Sequence, residues 1–95
     1  MRKISVVLVT YNRLTLLKKC IGALSQSTYP IAHIIIVDNN STDGTGEFLD
    51  KVADERVVVK HLCKNIGGAG GFYTGIKLFQ ECTSDDFAWV MDDDT

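Results

Sequence analysis

Three consecutive aspartates, Asp92, Asp93 and Asp94, follow an apolar segment near the end of the sequence. Neighbouring carboxylates repel one another unless they are exposed or neutralised by a cation. Hard cations such as Mg2+ and Mn2+ prefer oxygen ligands, and Mg2+ is commonly held by one or two carboxylates together with substrate phosphates. Alternate side chains of an extended segment point the same way, so Asp92 and Asp94 are the candidate metal ligands. The alternative is a solvated acidic strand end.

Two further polar positions suit a nucleotide. Asp38 ends another apolar segment and is placed to accept an N–H from a nucleobase or to bond a ribose hydroxyl, as the acidic residue of dinucleotide-binding folds does. It would equally serve to cap the turn that follows. Tyr11 is suited to stacking on a base or to packing beneath a neighbouring loop.

A glycine-rich segment occupies positions 67–71. Gly67, Gly68, Gly70 and Gly71 permit a positive φ and the close approach of a ligand to the backbone, and amide groups at the start of the following helix suit an anion. A flexible turn is therefore predicted over residues 65–71. A purely structural tight turn explains the same pattern.

Hydrophobic periodicity predicts the elements that must position these residues. Strand-like runs occupy 4–10, 34–37, 56–62 and 87–91, and apolar stripes at helical spacing occupy 14–25, 48–52 and 72–79. The order βαβαβαβ implies one α/β domain with a mostly parallel sheet, right-handed crossovers and helices on both faces. Ligands of such sheets bind outside the carboxyl ends of the strands, so the polar segments are expected to converge on one edge.

The bulk composition fits a small folded domain. The chain has 95 residues, of which 45% are hydrophobic and 23% charged, so it has room for one compact core and is too apolar to be disordered. Its net charge of -2 provides no general basic field, which argues against an electrostatic nucleic-acid binder. An anionic ligand would need local cations.

Cysteine and histidine usage indicates neither a disulfide framework nor a zinc site. Cys20, Cys63 and Cys82 form no CxxC pair and are interpreted as reduced thiols in a cytosolic setting. His33 and His61 show no ligand spacing and are interpreted as structural.

The first apolar run is a predicted strand rather than a signal peptide, because Ser5 interrupts it and polar residues at 10–13 end it. No stretch approaches the roughly 18 apolar residues that a membrane-spanning helix needs. We therefore expect a cytoplasmic protein, in which any association with the inner face of the membrane comes from residues outside this chain.

Taken together, the motifs resemble those of the family-2 glycosyltransferases, which have the Rossmann-like GT-A fold. The resemblance covers the whole chain and rests on segments 7–13, 36–45 and 65–67 and on the aspartates at 92–94, which look like the family's DxD motif. Each segment is short, but four of them in order at the predicted strand ends are specific.

The resemblance implies a set of site residues. Those matching Thr10, Tyr11 and Asp38 hold the nucleobase, and the DxD carboxylates contact the ribose and the divalent metal, Mg2+ or Mn2+, on the diphosphate. The full set implied for binding the nucleotide sugar is Thr10, Tyr11, Asn12, Asp38, Asn65, Gly67, Gly68, Asp92 and Asp93, with Asp92 and Asp94 on the metal.

The resemblance also implies a reaction. A sugar passes, with inversion, from a nucleoside-diphosphate donor to a hydroxyl of a glycan or lipid-linked acceptor in cell-surface polysaccharide or glycan synthesis. The glycine-rich segment is similar to that of members that transfer galactofuranose or rhamnose, which favours UDP or dTDP donors. A common family pattern has Ala-Arg-Asn where this chain has Gly71, Phe72 and Tyr73, so one nucleotide contact is missing.

The family's general base is a carboxylate far beyond the DxD motif, and this chain ends at Thr95. Residues 1–95 therefore correspond to the nucleotide-sugar-binding N-terminal part of a GT-A domain, with a sheet that stops after its fourth strand and without the acceptor site. We expect the isolated chain to bind nucleotide weakly at best and to be inactive.

Three other classes of protein are alternatives. A dinucleotide-binding oxidoreductase has its glycines directly after the first strand, where this chain has Thr10, Tyr11 and Asn12. A phosphoacceptor signalling module has carboxylates at that place, and none is present. A non-catalytic nucleotide-binding relative of the same fold remains open, because the residues that would distinguish it lie further along.

Overall fold

A computed structural model of the chain describes residues 4–26, 31–52, 54–83 and 87–92, with the backbone alone at 68, 82, 87, 91 and 92. Strands and helices alternate along it. They are β1 (Ile4–Thr10), α1 (Leu14–Ser25), β2 (Ile31–Asp38), α2 (Thr45–Asp50), β3 (Val57–His61), α3 (Gly67–Cys82) and β4 (Phe87–Asp92).

The four strands form one parallel sheet in the order β3-β2-β1-β4. The central strands, β1 and β2, consist largely of β-branched residues that are buried on both faces, as parallel strands covered by helices are. The predicted βαβαβαβ order and parallel sheet are confirmed.

The helices cover both faces of the sheet. On one face, Leu17 and Leu24 of α1 and Leu49 of α2 pack with Leu8 and Ile36 in a single apolar cluster. The other face of β1 and β2 lies against α3. Within the described part of the chain, no helix is long and apolar enough to cross a membrane.

Glycines allow α3 to lie close to β1. A Cβ atom added at Gly71 would lie 2.7 Å from Val9 Cγ1, and one at Gly75 would lie 2.4 Å from Val7 Cγ1. Both distances are shorter than real Cβ contacts, so a larger side chain at either position would push the helix away from the sheet.

The glycine-rich segment corrects one sequence-based expectation. A flexible turn was predicted over 65–71, but α3 begins at Gly67, so most of the segment is the first turns of a helix. Glycine disfavours helix interiors. Here the close packing of α3 on the sheet compensates for the low helix propensity of glycine. Within this segment, only Gly67 has a positive φ, of 81°.

Other boundaries also differ from the prediction, among them those of β2 and α2. β2 begins at Ile31 rather than at 34, because β1 supplies pairing partners as far back as Ile4, which is paired with Ile31, and local apolarity does not reveal this. α2 ends at Asp50, so Val52, which was assigned to this helix, lies outside it.

Candidate functional site

The carboxyl ends of three strands place a row of polar residues side by side. Thr10, the last residue of β1, is paired with Asp38, the last of β2, and Asp38 is paired with His61, the last of β3. On the other side of β1, Val9 is paired with Asp92, the last residue of β4. The predicted convergence of strand ends is therefore present in the backbone.

Asp38 lies at the centre of this row and is almost completely buried, with 4% of its side chain exposed. The Ser41 backbone N–H donates to its Oδ1 atom at 2.9 Å, and His61 Nδ1 lies 3.1 Å from its Oδ2 atom. The turn-capping role considered for Asp38 is therefore present. Each carboxylate oxygen can accept a second hydrogen bond, so a ligand N–H can still be accommodated.

A cleft of about 250 Å³ opens beside Asp38. Its lining combines Asp38 and His61, the last residues of β2 and β3, with the loop after β2 and one side of α2. The lining residues are Asp38, Asn40, Ser41, Gly46, Glu47, Asp50, His61 and Leu62.

His61 links β3 to β2 and α2. Its Nδ1 atom faces Asp38, and its Nε2 atom lies 2.8 Å from Asp50 Oδ1. The hydrogen bond with Asp50, followed by that with Asp38, raises the pKa of His61 above its usual value of 6.5. Sequence reasoning interpreted this histidine as structural; the available signal was its position near the end of the predicted third strand.

The loops after β1 and β2 are joined through Asn12. Its backbone N–H donates to Ser41 Oγ at 3.0 Å, and its Oδ1 atom accepts the Thr42 backbone N–H at 2.6 Å. Asn12 has a φ of 49°, a conformation that asparagine tolerates better than most residues. The predicted ligand residue Asn12 therefore holds the two loops together.

Tyr11 and Thr10, the residues before Asn12, differ in exposure. Tyr11 is 44% exposed, as a stacking platform must be. Thr10 is 1% exposed, and its backbone carbonyl accepts the Asn39 N–H at 2.9 Å, so it also fixes the loop after β2.

Asp43 fixes the start of two helices, a role that the sequence analysis did not assign. Its Oδ2 atom accepts the Leu14 N–H at the start of α1 at 3.1 Å, and its Oδ1 atom accepts both the N–H and the hydroxyl of Thr45 at the start of α2. The hydrogen bond from the Thr45 hydroxyl is the main cause that lowers the pKa of Asp43. The available signal was an aspartate in a segment of turn formers shortly before a predicted helix.

Asn39 attaches the loop after β2 to the start of α3. Its Oδ1 atom accepts the Ile66 N–H at 3.0 Å, and its Nδ2 atom donates to the Gly67 carbonyl at 3.0 Å. Asn65 contributes a local turn, because its Oδ1 atom accepts the Gly67 N–H at 2.8 Å. The predicted ligand residues Asn65 and Gly67 thus lie next to the loop that follows Asp38, and Gly68 lies in the first turn of α3.

The predicted metal site is described only at its beginning. Asp92 ends β4 at the same edge as Thr10, whereas Asp93 and Asp94 lie outside the described residues. Among the residues that are described, no three acidic, histidine or cysteine side chains form a metal-binding group. In its chemistry, a donor set of three aspartates fits Mg2+ or Mn2+, which prefer carboxylate oxygens.

Comparison with known proteins defines the class first by fold. The chain superimposes on a mannosyltransferase from Pyrobaculum calidifontis, solved in complex with GDP-Man and Mn2+, with a TM-score of 0.81 and 20% identity, covering 99% of this chain and 28% of that one. The fold, a parallel sheet between helices with its polar residues at the carboxyl edge, is that of the GT-A glycosyltransferases.

The family follows from sequence. The model of glycosyl transferase family 2 matches residues 5–95, and the chain belongs to this family. It is 36% identical over 92 residues to the galactofuranosyltransferase GlfT1 of Mycobacterium tuberculosis, covering 93% of this chain and 29% of the relative.

A second relative is the UDP-Glc:alpha-D-GlcNAc-diphosphoundecaprenol beta-1,3-glucosyltransferase WfaP of Escherichia coli. The chain is 36% identical to it over 72 residues, which is 73% of this chain and 28% of WfaP. The chain thus spans less than a third of the length of these two curated relatives.

Proposed function

We propose that residues 1–95 form the donor-binding part of a glycosyltransferase that moves a sugar from a nucleoside diphosphate to an acceptor hydroxyl. The observation that carries the proposal is the convergence of exposed Tyr11, buried Asp38 and the end of β4 on one edge of the sheet. Membership of family 2 supports it.

The nucleobase is proposed to bind between Tyr11 and Asp38. The exposed ring of Tyr11 offers a stacking surface, and the fixed carboxylate of Asp38 accepts an N–H from the base edge. A uracil or thymine ring presents such an N–H. Guanine also presents such an N–H, so the choice of UDP or dTDP donors rests on the resemblance of the glycine-rich segment, and the UDP-sugar specificity in the name of WfaP supports uracil.

The diphosphate is proposed to extend from the base toward the end of β4. Asp92 and Asp94 would hold a divalent metal, and Asp93 would contact the donor. When bound, that metal would supply positive charge beside the departing diphosphate. The Mn2+ and GDP-Man bound by the mannosyltransferase of the same fold support this arrangement.

The proposed reaction is a single displacement with inversion. The acceptor hydroxyl attacks the anomeric carbon of the donor sugar as the bond to the diphosphate breaks, and a carboxylate base beyond Thr95 takes the hydroxyl proton. Similarity to GlfT1 makes galactofuranose the first sugar to test.

Calorimetry of UDP binding to the full-length protein, with and without Mn2+, tests the proposal. Asp94→Ala should weaken the Mn2+-dependent part of binding by about tenfold or more, since the loss of even outer partners of a metal ligand commonly costs that much. Glu55→Ala is the matched control, because Glu55 is an exposed carboxylate just before β3, at the opposite edge of the sheet. Equal, metal-independent binding by wild type and Asp94→Ala would contradict the metal assignment. If the wild-type protein binds none of UDP, dTDP and GDP, the proposed function is contradicted.

A further inference from the structure

His61 lies between two carboxylates, one buried and one exposed. Asp38 Oδ2 is 3.1 Å from Nδ1, and Asp50 Oδ1 is 2.8 Å from Nε2. A neutral imidazole carries a hydrogen on only one ring nitrogen, whereas the imidazolium carries one on both. Only the protonated form can therefore donate to both carboxylates, so the geometry itself selects a positively charged His61.

The surroundings of His61 reinforce this charge. Asp38 faces it from β2, and Glu47 and Asp50 line the same cleft from α2. On β3 the neighbouring Lys60 lines a separate cleft with α3. Among the described residues that line the cleft at His61, every other charged group is acidic.

Gly46 leaves Asp38 and His61 open to the cleft that they line. A Cβ atom at that position would lie 3.4 Å from Asp38 Oδ2 and 3.7 Å from His61 Cε1. The backbone of α2 therefore passes directly beside the two side chains without covering them. A ligand in the cleft can reach the edge of Asp38 that His61 leaves unused.

We propose that His61 is a positioning residue for the donor nucleotide: it fixes the orientation in which the Asp38 carboxylate accepts the nucleobase N–H, and Asp50 keeps His61 protonated. This inference rests on the proposed function. It gives the site a cation at its base end that does not depend on a bound metal.

The physical consequence is a donor affinity that depends on pH. The Asp38 carboxylate is held by the Ser41 N–H and by His61. When His61 loses its proton, one of its two carboxylate contacts is lost, so one of these constraints on Asp38 is lost or weakened. The charged groups that line the cleft, Asp38, Glu47, Asp50 and His61, then carry one more net negative charge, which repels an anionic nucleotide.

The direction in which donor affinity changes with pH follows from the direction of the pKa shift of His61. The pKa of His61 is raised above 6.5, first by Asp50 and then by Asp38. The contribution of the imidazolium is therefore complete below pH 6.5 and is lost as the pH rises through the higher value in the folded protein. Donor affinity should fall over that interval.

The test is calorimetry with UDP and Mn2+ on the full-length protein across this pH range, together with steady-state kinetics. At a pH of about 6, His61→Gln should weaken UDP binding about tenfold, as expected for one hydrogen bond to a charged group, and should remove the fall in affinity at higher pH. It should raise the KM for the donor and leave kcat nearly unchanged. Asp50→Asn should retain affinity at low pH and move the fall to lower pH.

His33→Gln is the control, since His33 lies near the start of β2, at the edge of the sheet opposite His61. It should leave both the affinity and the pH profile as in wild type. If His61→Gln does not fold, the shifted pH profile of Asp50→Asn decides alone.

Two results would overturn the proposal in distinguishable ways. If Asp38→Asn loses UDP binding while His61→Gln and Asp50→Asn keep the wild-type affinity and pH profile, His61 has no positioning role and the proposed function stands. If wild type binds no nucleoside diphosphate, the proposed function fails and the role of His61 fails with it.

Discussion

The contact between α3 and β1 makes Gly75 a sensitive position. A Cβ atom there would lie 2.4 Å from Val7 Cγ1 and 3.4 Å from Val37 Cγ2. Both valines are fully buried in the sheet, so neither can turn its methyl groups toward solvent. Gly75→Ala must therefore displace α3 or distort β1.

Two effects of opposite sign determine how much Gly75→Ala changes the free energy of unfolding. Overpacking a well-packed core costs roughly 1–3 kcal/mol, whereas alanine is favoured over glycine in a helix by up to about 1 kcal/mol. With the full propensity gain subtracted, Gly75→Ala is expected to lose up to about 2 kcal/mol in the free energy of unfolding. Gly22→Ala is the matched control, because Gly22 lies in α1 with no atom within 4 Å of an added Cβ. It should stabilise the protein by up to about 1 kcal/mol.

Urea unfolding followed by circular dichroism measures both variants. A double-mutant cycle with Val7→Ala isolates the contact, since removing the Val7 methyl groups makes room for the added one. The combined variant should then lose less stability than the two single changes predict together. If Gly75→Ala is as stable as Gly22→Ala, the close packing of α3 on β1 is not a constraint and this reasoning is refuted.

Two hydrogen-bonding residues support further predictions. Asn39→Ala should lower the free energy of unfolding by about 1–3 kcal/mol, because it removes two hydrogen bonds to the start of α3, each contributing about 0.5–1.5 kcal/mol. Asn39→Asp keeps the acceptor for the Ile66 N–H but sets a carboxylate against the Gly67 carbonyl, so urea unfolding should show that it restores only part of the lost stability. For Asp43, whose pKa is lowered by the Thr45 hydroxyl, the stabilisation is present above the usual pKa of 3.8 and is lost as the pH falls through the lower value in the folded protein. Thermal unfolding should therefore show Asp43→Asn to be less stable than wild type near neutral pH and equally stable in strong acid, and a difference that persists in strong acid would contradict the assignment.

The order of the elements could be predicted because each one has its own local signal. The β-branched run at 4–10 and the apolar stripe of α1 need no distant partner to be recognised. The glycine segment misled for the opposite reason: glycine usually marks turns, and its role here depends on how closely α3 approaches β1. The spacing of Gly71 and Gly75 by four residues was the signal, since it places them on one face of a helix.

The residues of the site that end strands could be predicted from the sequence. The contacts between these residues could not. Asp38 could be selected because it ends an apolar strand before a turn. Its contact with His61 depends on the pairing of β2 with β3, and a parallel register between residues 23 positions apart in sequence leaves no local trace. The helix-capping role of Asp43 likewise joins loops that are distant in sequence.

The charge balance of the chain connects these observations. A protein with a net charge of -2 that binds a nucleoside diphosphate needs cations placed within the site, because its overall field does not attract an anion. Phe72 stands where a common family pattern has an arginine. Under the proposals made above, the positive charge comes from a metal held by Asp92 and Asp94 at the diphosphate and from His61 at the base. The two sources differ in what removes them, since chelation removes the metal and a rise in pH discharges the histidine. Donor binding should therefore retain a pH-dependent component in the presence of a chelator, and that component should disappear in His61→Gln.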